Sequence, residues 1–307
     1  RVTGYVDVWV STAEVHCVVP ASSPGNVTVE YSNNGVDFQQ GGVRFEYHEE
    51  LVIQSVAPSV GSVVGGTLVD VRVSGLSSVS SVFCRFGGVS VPGTPDVNEQ
   101  RLSCVSPGSE ETGVVDFHLR VDGTLVGQGK QFEYQAVAQL SRVVPSSGVR
   151  LGGTLVSVLG AGFSDHNPTC RFGDSTVDGQ WTSATSVLCL TPASEATGMV
   201  TVEMSNNGQD FTSDGLRFVY EEELQLESIV PSTGTAGVAM LVTINGRGFV
   251  NSGELTCRAG TRGSVSASWL SWTAVSCYLP AFAPGNVSVA VSNNGGDFVG
   301  ALKLSGV

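Results

Sequence analysis

Positive charge is scarce in this chain. Its 307 residues hold 15 Lys and Arg against 28 Asp and Glu, a formal net charge of −13, and only Lys130 and Lys303 are lysines. Neutralising phosphates takes a basic stripe, so nucleic acid is a poor partner, and an anionic membrane surface is disfavoured for the same reason. Long apolar runs are missing too. Residues of the AVILMFWYC set make up 41 %, but no run of them approaches the length of about 18 that marks a membrane-spanning helix. Charged residues reach only 14 %, which does not suit a helical protein with its surfaces of Glu, Lys and Ala. The chain starts at Arg1 with neither an initiator Met nor a signal peptide, which is read as processing or excision from something longer.

Catalytic signatures are absent as well. There is no Gly-x-Ser-x-Gly elbow, no His-Glu-x-x-His, and no phosphate loop, since Gly129-Lys130 lacks both the earlier Gly and the following Ser or Thr. The four histidines, at 16, 48, 118 and 166, fall at different phases of the repeat described next, whereas a catalytic constellation would break a repeat once, with a unique cluster of titratable groups. The expectation is a protein that is not an enzyme and needs no cofactor.

What the chain does have is glycine, 39 residues of it, with much Val, Ser and Thr, a β composition. It also repeats itself. Ser-Asn-Asn-Gly occurs at Ser32–Gly35, Ser205–Gly208 and Ser292–Gly295, with starts 173 and then 87 residues apart, and Arg120–Gly123 holds the place of a diverged fourth copy. The prolines Pro58, Pro145 and Pro231 keep the same spacing, each followed three residues on by Gly61, Gly148 or Gly234. The cysteines form two series, Cys84, Cys170 and Cys257, and Cys17, Cys104, Cys189 and Cys277. The unit is about 87 residues, and the chain holds three and a half of them. Within a unit, short runs alternate apolar and polar residues, as in Val200, Val202 and Met204 or Val287, Val289 and Val291. That period puts one face of each strand inward, and the Asn-Asn-Gly that follows supplies a turn. Several short strands per unit describe a small β-sandwich.

The third unit carries the full motif order: Pro145, Gly148, Gly152-Gly153-Thr154, Gly160-Ala161-Gly162-Phe163, Cys170-Arg171-Phe172-Gly173, Cys189 and Pro192. This order resembles the IPT/TIG domain, the immunoglobulin-like module of plexins, of the hepatocyte growth factor receptor family, of Rel-type transcription factors and of many extracellular repeat proteins. The resemblance implies an all-β chain of tandem immunoglobulin-like sandwiches: the C-terminal half of a repeat at 1–50, then repeats at 51–136, 137–223 and 224–307. The second unit departs from the pattern with Val73-Ser74-Gly75-Leu76 in place of Gly-x-Gly-Phe. The fourth has Val238-Ala239-Met240 in place of Gly-Gly-Thr.

The cysteines of each full unit lie 19 or 20 residues apart, with no CxxC and few histidines. Zinc would want closer pairs or interleaved histidines. Disulfides Cys84–Cys104, Cys170–Cys189 and Cys257–Cys277 are therefore expected in an oxidising compartment, in preference to buried thiols of a cytosolic protein, and Cys17 is left unpaired within the chain. Closing a loop of that length is worth about 3 kcal/mol. Sequons at Asn26-Val27-Thr28 and Asn286-Val287-Ser288 occupy the same place in the first and fourth units and are read as N-glycosylation sites, while Pro168 blocks Asn167-Pro168-Thr169.

Three further features have plain structural readings. The Asn-Asn-Gly-x-Asp turns gather oxygens as a calcium loop does, but each offers one carboxylate where calcium wants more, so they are read as turns. Glu49-Glu50 and Glu221-Glu222-Glu223 are read as solvated edges between units, with a cation site as the sharper alternative. Trp9, Trp181 and Trp269 each precede the second cysteine by eight residues, which makes them strand-face residues more than a sugar platform.

The leading functional expectation is an extracellular, glycosylated structural rod or head-to-tail fibril. Either upstream sequence or a neighbouring subunit would complete the first unit. The alternative is the ectodomain of a receptor or adhesin that binds a protein or glycan ligand, which requires one unit with a large exposed apolar or aromatic patch. An accessory module of an enzyme ranks third, and a transcription factor last.

Overall fold

The computed structural model describes residues 5–76, 81–121, 123–261 and 263–307. The chain divides into two compact units, Arg1–Ser59 with Val64–Tyr134, and Val60–Val63 with Gln135–Val307. Among the described residues every helix or strand element is a strand.

In the first unit, β1 (Tyr5–Ser11) pairs with β2 (Glu14–Val18), and β3 (Gly25–Tyr31) pairs with β4 (Gln39–Tyr47). The next repeat follows with β5 (Val52–Ala57), β6 (Val60–Ser62, in the second unit), β7 (Leu68–Ser74), β8 (Val82–Phe86), β9 (Val89–Asp96), β10 (Arg101–Val105), β11 (Gly113–Val121) and β12 (Thr124–Gln135). The strands of the first unit run in the order β5-β7-β10-β9-β8-β11-β12.

The second unit holds two complete repeats. The third repeat comprises β13 (Gln139–Val144), β14 (Ser147–Val149), β15 (Leu155–Ala161), β16 (Thr169–Phe172), β17 (Ser175–Ser183), β18 (Ser186–Leu190), β19 (Gly198–Ser205) and β20 (Leu216–Glu221). The fourth follows as β21 (Gln225–Val230), β22 (Thr233–Gly234), β23 (Met240–Arg247), β24 (Thr256–Ala259), β25 (Val265–Ser271), β26 (Ala274–Leu279), β27 (Gly285–Ser292) and β28 (Val299–Gly306). Their orders are the same, β13-β15-β18-β17-β16-β19-β20-β14 and β21-β23-β26-β25-β24-β27-β28-β22.

One strand serves both sheets of each sandwich. In the third repeat β17 pairs through Ser175–Asp178 with β16 and through Gly179–Ser183 with β18. The passage between sheets falls at Gly179, where a Cβ would lie 2.6 Å from Val187 Cγ1 and 3.3 Å from Cys189 Sγ. Cys170 on β16 and Cys189 on β18 are joined across the two sheets with Cα atoms 6.4 Å apart, as are Cys84–Cys104 and Cys257–Cys277 at 6.3 Å.

Around each cystine the period-2 residues face inward. Val156, Val158, Val202, Met204 and Phe218 are fully buried in the third repeat. Each such side chain contributes about 1.5–3 kcal/mol over its exposed state. The equivalents of Val202, Met204 and Phe218 on β3 and β4, namely Val29, Tyr31 and Phe45, are 45 %, 59 % and 41 % exposed. They carry the core pattern without the core.

A tyrosine closes the C-terminal edge. Tyr47, Tyr134 and Tyr220 donate to the carbonyls of Pro20, Pro107 and Pro192 at 2.8, 3.0 and 2.9 Å, and burial pushes Tyr134 and Tyr220 up to about 12. The fourth repeat has Gly306 at this place. Phe282, buried from the neighbouring loop, fills it, its ring 2.9 Å from where a Gly306 Cβ would be.

Replacing Cys170 and Cys189 together by Ala should lower the stability of the third repeat by about 3 kcal/mol, because the unfolded chain regains the freedom of a loop that length. Guanidinium unfolding followed by Trp181 fluorescence measures it.

Candidate functional site: the repeat joint and the outer face of the last repeat

The Ser-Asn-Asn-Gly turn follows β19 and β27 and divides its work between its two asparagines. The first ties the turn to the Gly-x-Gly-Phe loop of its own repeat. Asn206 Nδ2 donates to the Gly162 carbonyl at 2.8 Å and its Oδ1 accepts from Ser164 N at 3.1 Å; Asn293 does the same with Gly248 and Val250 at 2.7 and 3.2 Å. The second organises the turn. Asn294 Oδ1 accepts from Ser292 Oγ, Gly296 N and Asp297 N, while its Nδ2 donates to Asp297 Oδ2 at 2.9 Å.

That second asparagine also leaves its own repeat. Asn294 Nδ2 donates to the carbonyl of Ser147, on the Pro-x-x-Gly segment of the third repeat, at 2.8 Å, and Asp297 Oδ2 accepts from Thr154 Oγ1 of Gly-Gly-Thr at 2.6 Å. Asn207 Nδ2 makes the same bond to the Val60 carbonyl, at 3.1 Å, within the second unit. The Oδ1 of Asn207 and Asn294 and the Oδ2 of Asp210 and Asp297 are thus engaged in hydrogen bonds. Among the described residues no group of three or more His, Cys, Asp or Glu is placed to hold a metal.

Glu221 stands at the joint of the third and fourth repeats. Glu222 and Glu223 are exposed, as a solvated edge requires, but Glu221 is not. It borders a cavity of about 20 Å³ lined also by Gly148, Asn293, Asn294 and Asp297, room for one water. Burial, reinforced by the nearby Asp297 carboxylate, raises the Glu221 carboxyl above the ordinary glutamate value, against the lowering effect of side-chain hydrogen bonds with Ser147 and Asn293.

The remaining residues singled out from the sequence lie apart from the joint. Cys17 is an exposed free thiol on β2. Asn26 and Asn286 are exposed at the starts of β3 and β27, and Asn286 Oδ1 accepts from Ser305 Oγ at 2.6 Å. Trp181 and Trp269 lie on strand faces, their indole nitrogens donating to the carbonyls of Phe163 and Phe249 at 3.3 and 3.2 Å. The side chain of Trp9 and the residue Asp122 lie outside the described residues.

One face breaks the repeat. On the outer side of the sheet β21-β23-β26-β25, Tyr278 is 62 % and Leu241 61 % exposed, and at the turn that joins β25 to β26 Trp272 is 65 % and Leu270 53 % exposed. Tyr278 and Leu241 are cross-strand partners. The turn that carries Trp272 lies at the other end of β26, whose first residue, Ala274, is about 13 Å from Tyr278. Trp272 also borders an open cleft of about 420 Å³ lined by Glu227, Asn245, Gly246, Arg247 and Thr273. The third repeat has Thr182, Ala184, Leu190 and Leu155 at the corresponding places. A search for unique titratable groups passes over Trp272 and Tyr278, which stand out only when the two repeats are set in register.

Tandem immunoglobulin-like sandwiches, each closed by a cystine between its sheets, with the Ser-Asn-Asn-Gly turn recurring from repeat to repeat, define the class. The IPT/TIG domain family matches at residues 51–134, 138–220 and 224–305. The chain belongs to that family. It is 28 % identical over 274 residues to human fibrocystin-L, which covers 86 % of this chain, and 28 % identical over 113 residues to plexin-2 of Caenorhabditis briggsae, which covers 36 %. In each case it spans 6 % of the relative's length. Among solved structures, the extracellular region of plexin A4 aligns with a TM-score of 0.43 at 19 % identity, over 78 % of this chain and 23 % of that one.

The raised Glu221 value fixes a sign. Its protonation favours the folded joint, so this contribution is complete below the ordinary glutamate range and is lost as pH rises through the shifted value. Glu221→Gln should therefore melt above the wild type at pH 7.5, by a small margin, and the gap should close as pH falls toward 5. Paired thermal melts across that range check it.

Proposed function

We propose that this chain is a non-catalytic segment of the ectodomain of a cell-surface receptor or adhesin, and that its fourth repeat presents the Trp272–Tyr278 face to an extracellular protein. The observation that carries this reading is the face itself. Trp and Tyr lead among residues that anchor protein interfaces, and this chain exposes Tyr278 on β26 and Trp272 on the turn that precedes it, where the third repeat has Leu190 and Ala184. The neighbouring cleft adds Glu227, Asn245 and Arg247 as polar rim.

The relatives support the same reading. Alignment with fibrocystin-L and with a plexin favours an ectodomain over the structural rod or fibril that regular repetition alone implies. Three cystines favour an oxidising, extracellular location. A protein ligand is preferred to a glycan because the two apolar ends of the face lie about 13 Å apart with Ser276 and Thr243 between them. A sugar platform would want stacked aromatics with convergent polar groups.

Binding to an array of secreted and cell-surface ectodomains tests this. Trp272→Ala and Tyr278→Ala should each weaken a bound ectodomain at least tenfold, about 1.4 kcal/mol, with the melting temperature unchanged. Retained binding in both variants would overturn the reading, and loss of binding to a glycan array instead would move the ligand to carbohydrate. The same extracellular assignment expects sugar on Asn26 and Asn286 in protein secreted from a eukaryotic host. Peptide mass spectrometry after glycosidase treatment should find both converted to Asp.

A further inference from the structure

We infer that the turn Ser32–Asp37 is a docking tongue for the Pro-x-x-Gly and Gly-Gly-Thr loops of another IPT/TIG repeat. The turn is already in its docking geometry. Ser32 Oγ donates to Asn34 Oδ1 at 3.0 Å, Asn34 Nδ2 donates to Asp37 Oδ2 at 2.8 Å, and Asn34 Oδ1 accepts from Val36 N and Asp37 N at 2.9 Å each. These are the bonds that Ser292, Asn294 and Asp297 make in the fourth repeat. There, the second N–H of Asn294 goes to Ser147 and the second lone pair of Asp297 to Thr154, and Asn294 is 7 % exposed. Asn34 and Asp37 are exposed, and among the described residues the second Asn34 N–H has no acceptor.

The occupant is set by what the two observed partners of such turns share. Val60 and Ser147 each stand two residues after the proline of Pro-x-x-Gly and offer a backbone carbonyl, and Thr154 offers a hydroxyl to the turn's carboxylate. A repeat with both loops fits the tongue.

This chain carries one more Pro-x-x-Gly segment, Pro231–Gly234, with Thr233 in the carbonyl position, but Met240 stands where Thr154 stands in the third repeat. A thioether cannot donate. The fourth repeat is thus half of an acceptor, and a single change completes it: Met240→Thr makes a second copy of this chain a suitable partner for the tongue. A hydrogen bond to a charged acceptor is stronger than one between neutral groups, so the gain in head-to-tail association is about tenfold or more.

The test compares wild type, M240T, and M240T carrying N34A and D37A, all as the full chain, by sedimentation up to millimolar concentration. M240T should associate at least tenfold more tightly than wild type, and N34A with D37A should bring it back to the wild-type constant or to a weaker one. Side-chain amide signals of 15N-labelled asparagine should show Asn34 shifting as M240T is concentrated. An M240T chain that melts like wild type yet associates no better overturns the proposal, as does association indifferent to N34A and D37A. If M240T melts below wild type, restoring the whole loop with V238G, A239G and M240T supplies the comparison under the same two criteria.

Discussion

Each complete repeat closes around one point, where the strand that passes from one sheet to the other lies against the cystine that joins them. In the third repeat Gly179 sits at the passage, too close to Val187 and to Cys189 Sγ for a side chain without adjustment, and its amide donates to the Pro168 carbonyl at 2.7 Å. Gly93 occupies the same place beside Cys104. The fourth repeat has Ala267 there and keeps the amide bond, to Leu255, at 2.9 Å. The rest of the sandwich follows from this fixed separation: strands of period 2 on both sides meet at a distance set by the cystine, and the aliphatic and aromatic residues fill what remains.

The loops obey a second logic, of coupled positions. In the third and fourth repeats Ser-Asn-Asn-Gly is matched by a Gly-x-Gly-Phe loop for its first asparagine and a Pro-x-x-Gly segment for its second. The second repeat lacks Gly-x-Gly-Phe, having Leu76 after Gly75, and it also lacks the asparagine pair. Its loop is held instead by Gln100, which accepts from Leu76 N at 3.0 Å and donates to Leu76 O at 2.9 Å. Two departures that look independent along the chain are one event in space.

The third and fourth repeats share strand order, cystine and joint, and they differ on one outer face, where solvent-exposed aromatic surface has no role in either core. An interface presented on an ordered scaffold loses less entropy on binding than one on a flexible linker, which suits the role proposed for this face.

The fold class, the period near 87 residues and the inward residues were legible in the sequence because alternation, turn residues and repetition are local properties that burial must respect. So was the equivalence of Val29, Tyr31 and Phe45 with core residues. The roles of Asn207, Asn294 and Asp297 were not, because a hydrogen bond to Val60, Ser147 or Thr154 joins residues some 147 or 143 positions apart, and no local pattern encodes which repeat a turn will meet. Glu221 likewise read as one of three solvated acids until packing against the fourth repeat set it apart. Trp272 and Tyr278 were visible as letters, yet whether an aromatic residue fills a core or faces solvent depends on the side of the pleat it takes, and near the bulge between Trp269 and Ser271 only the tertiary structure decides that side.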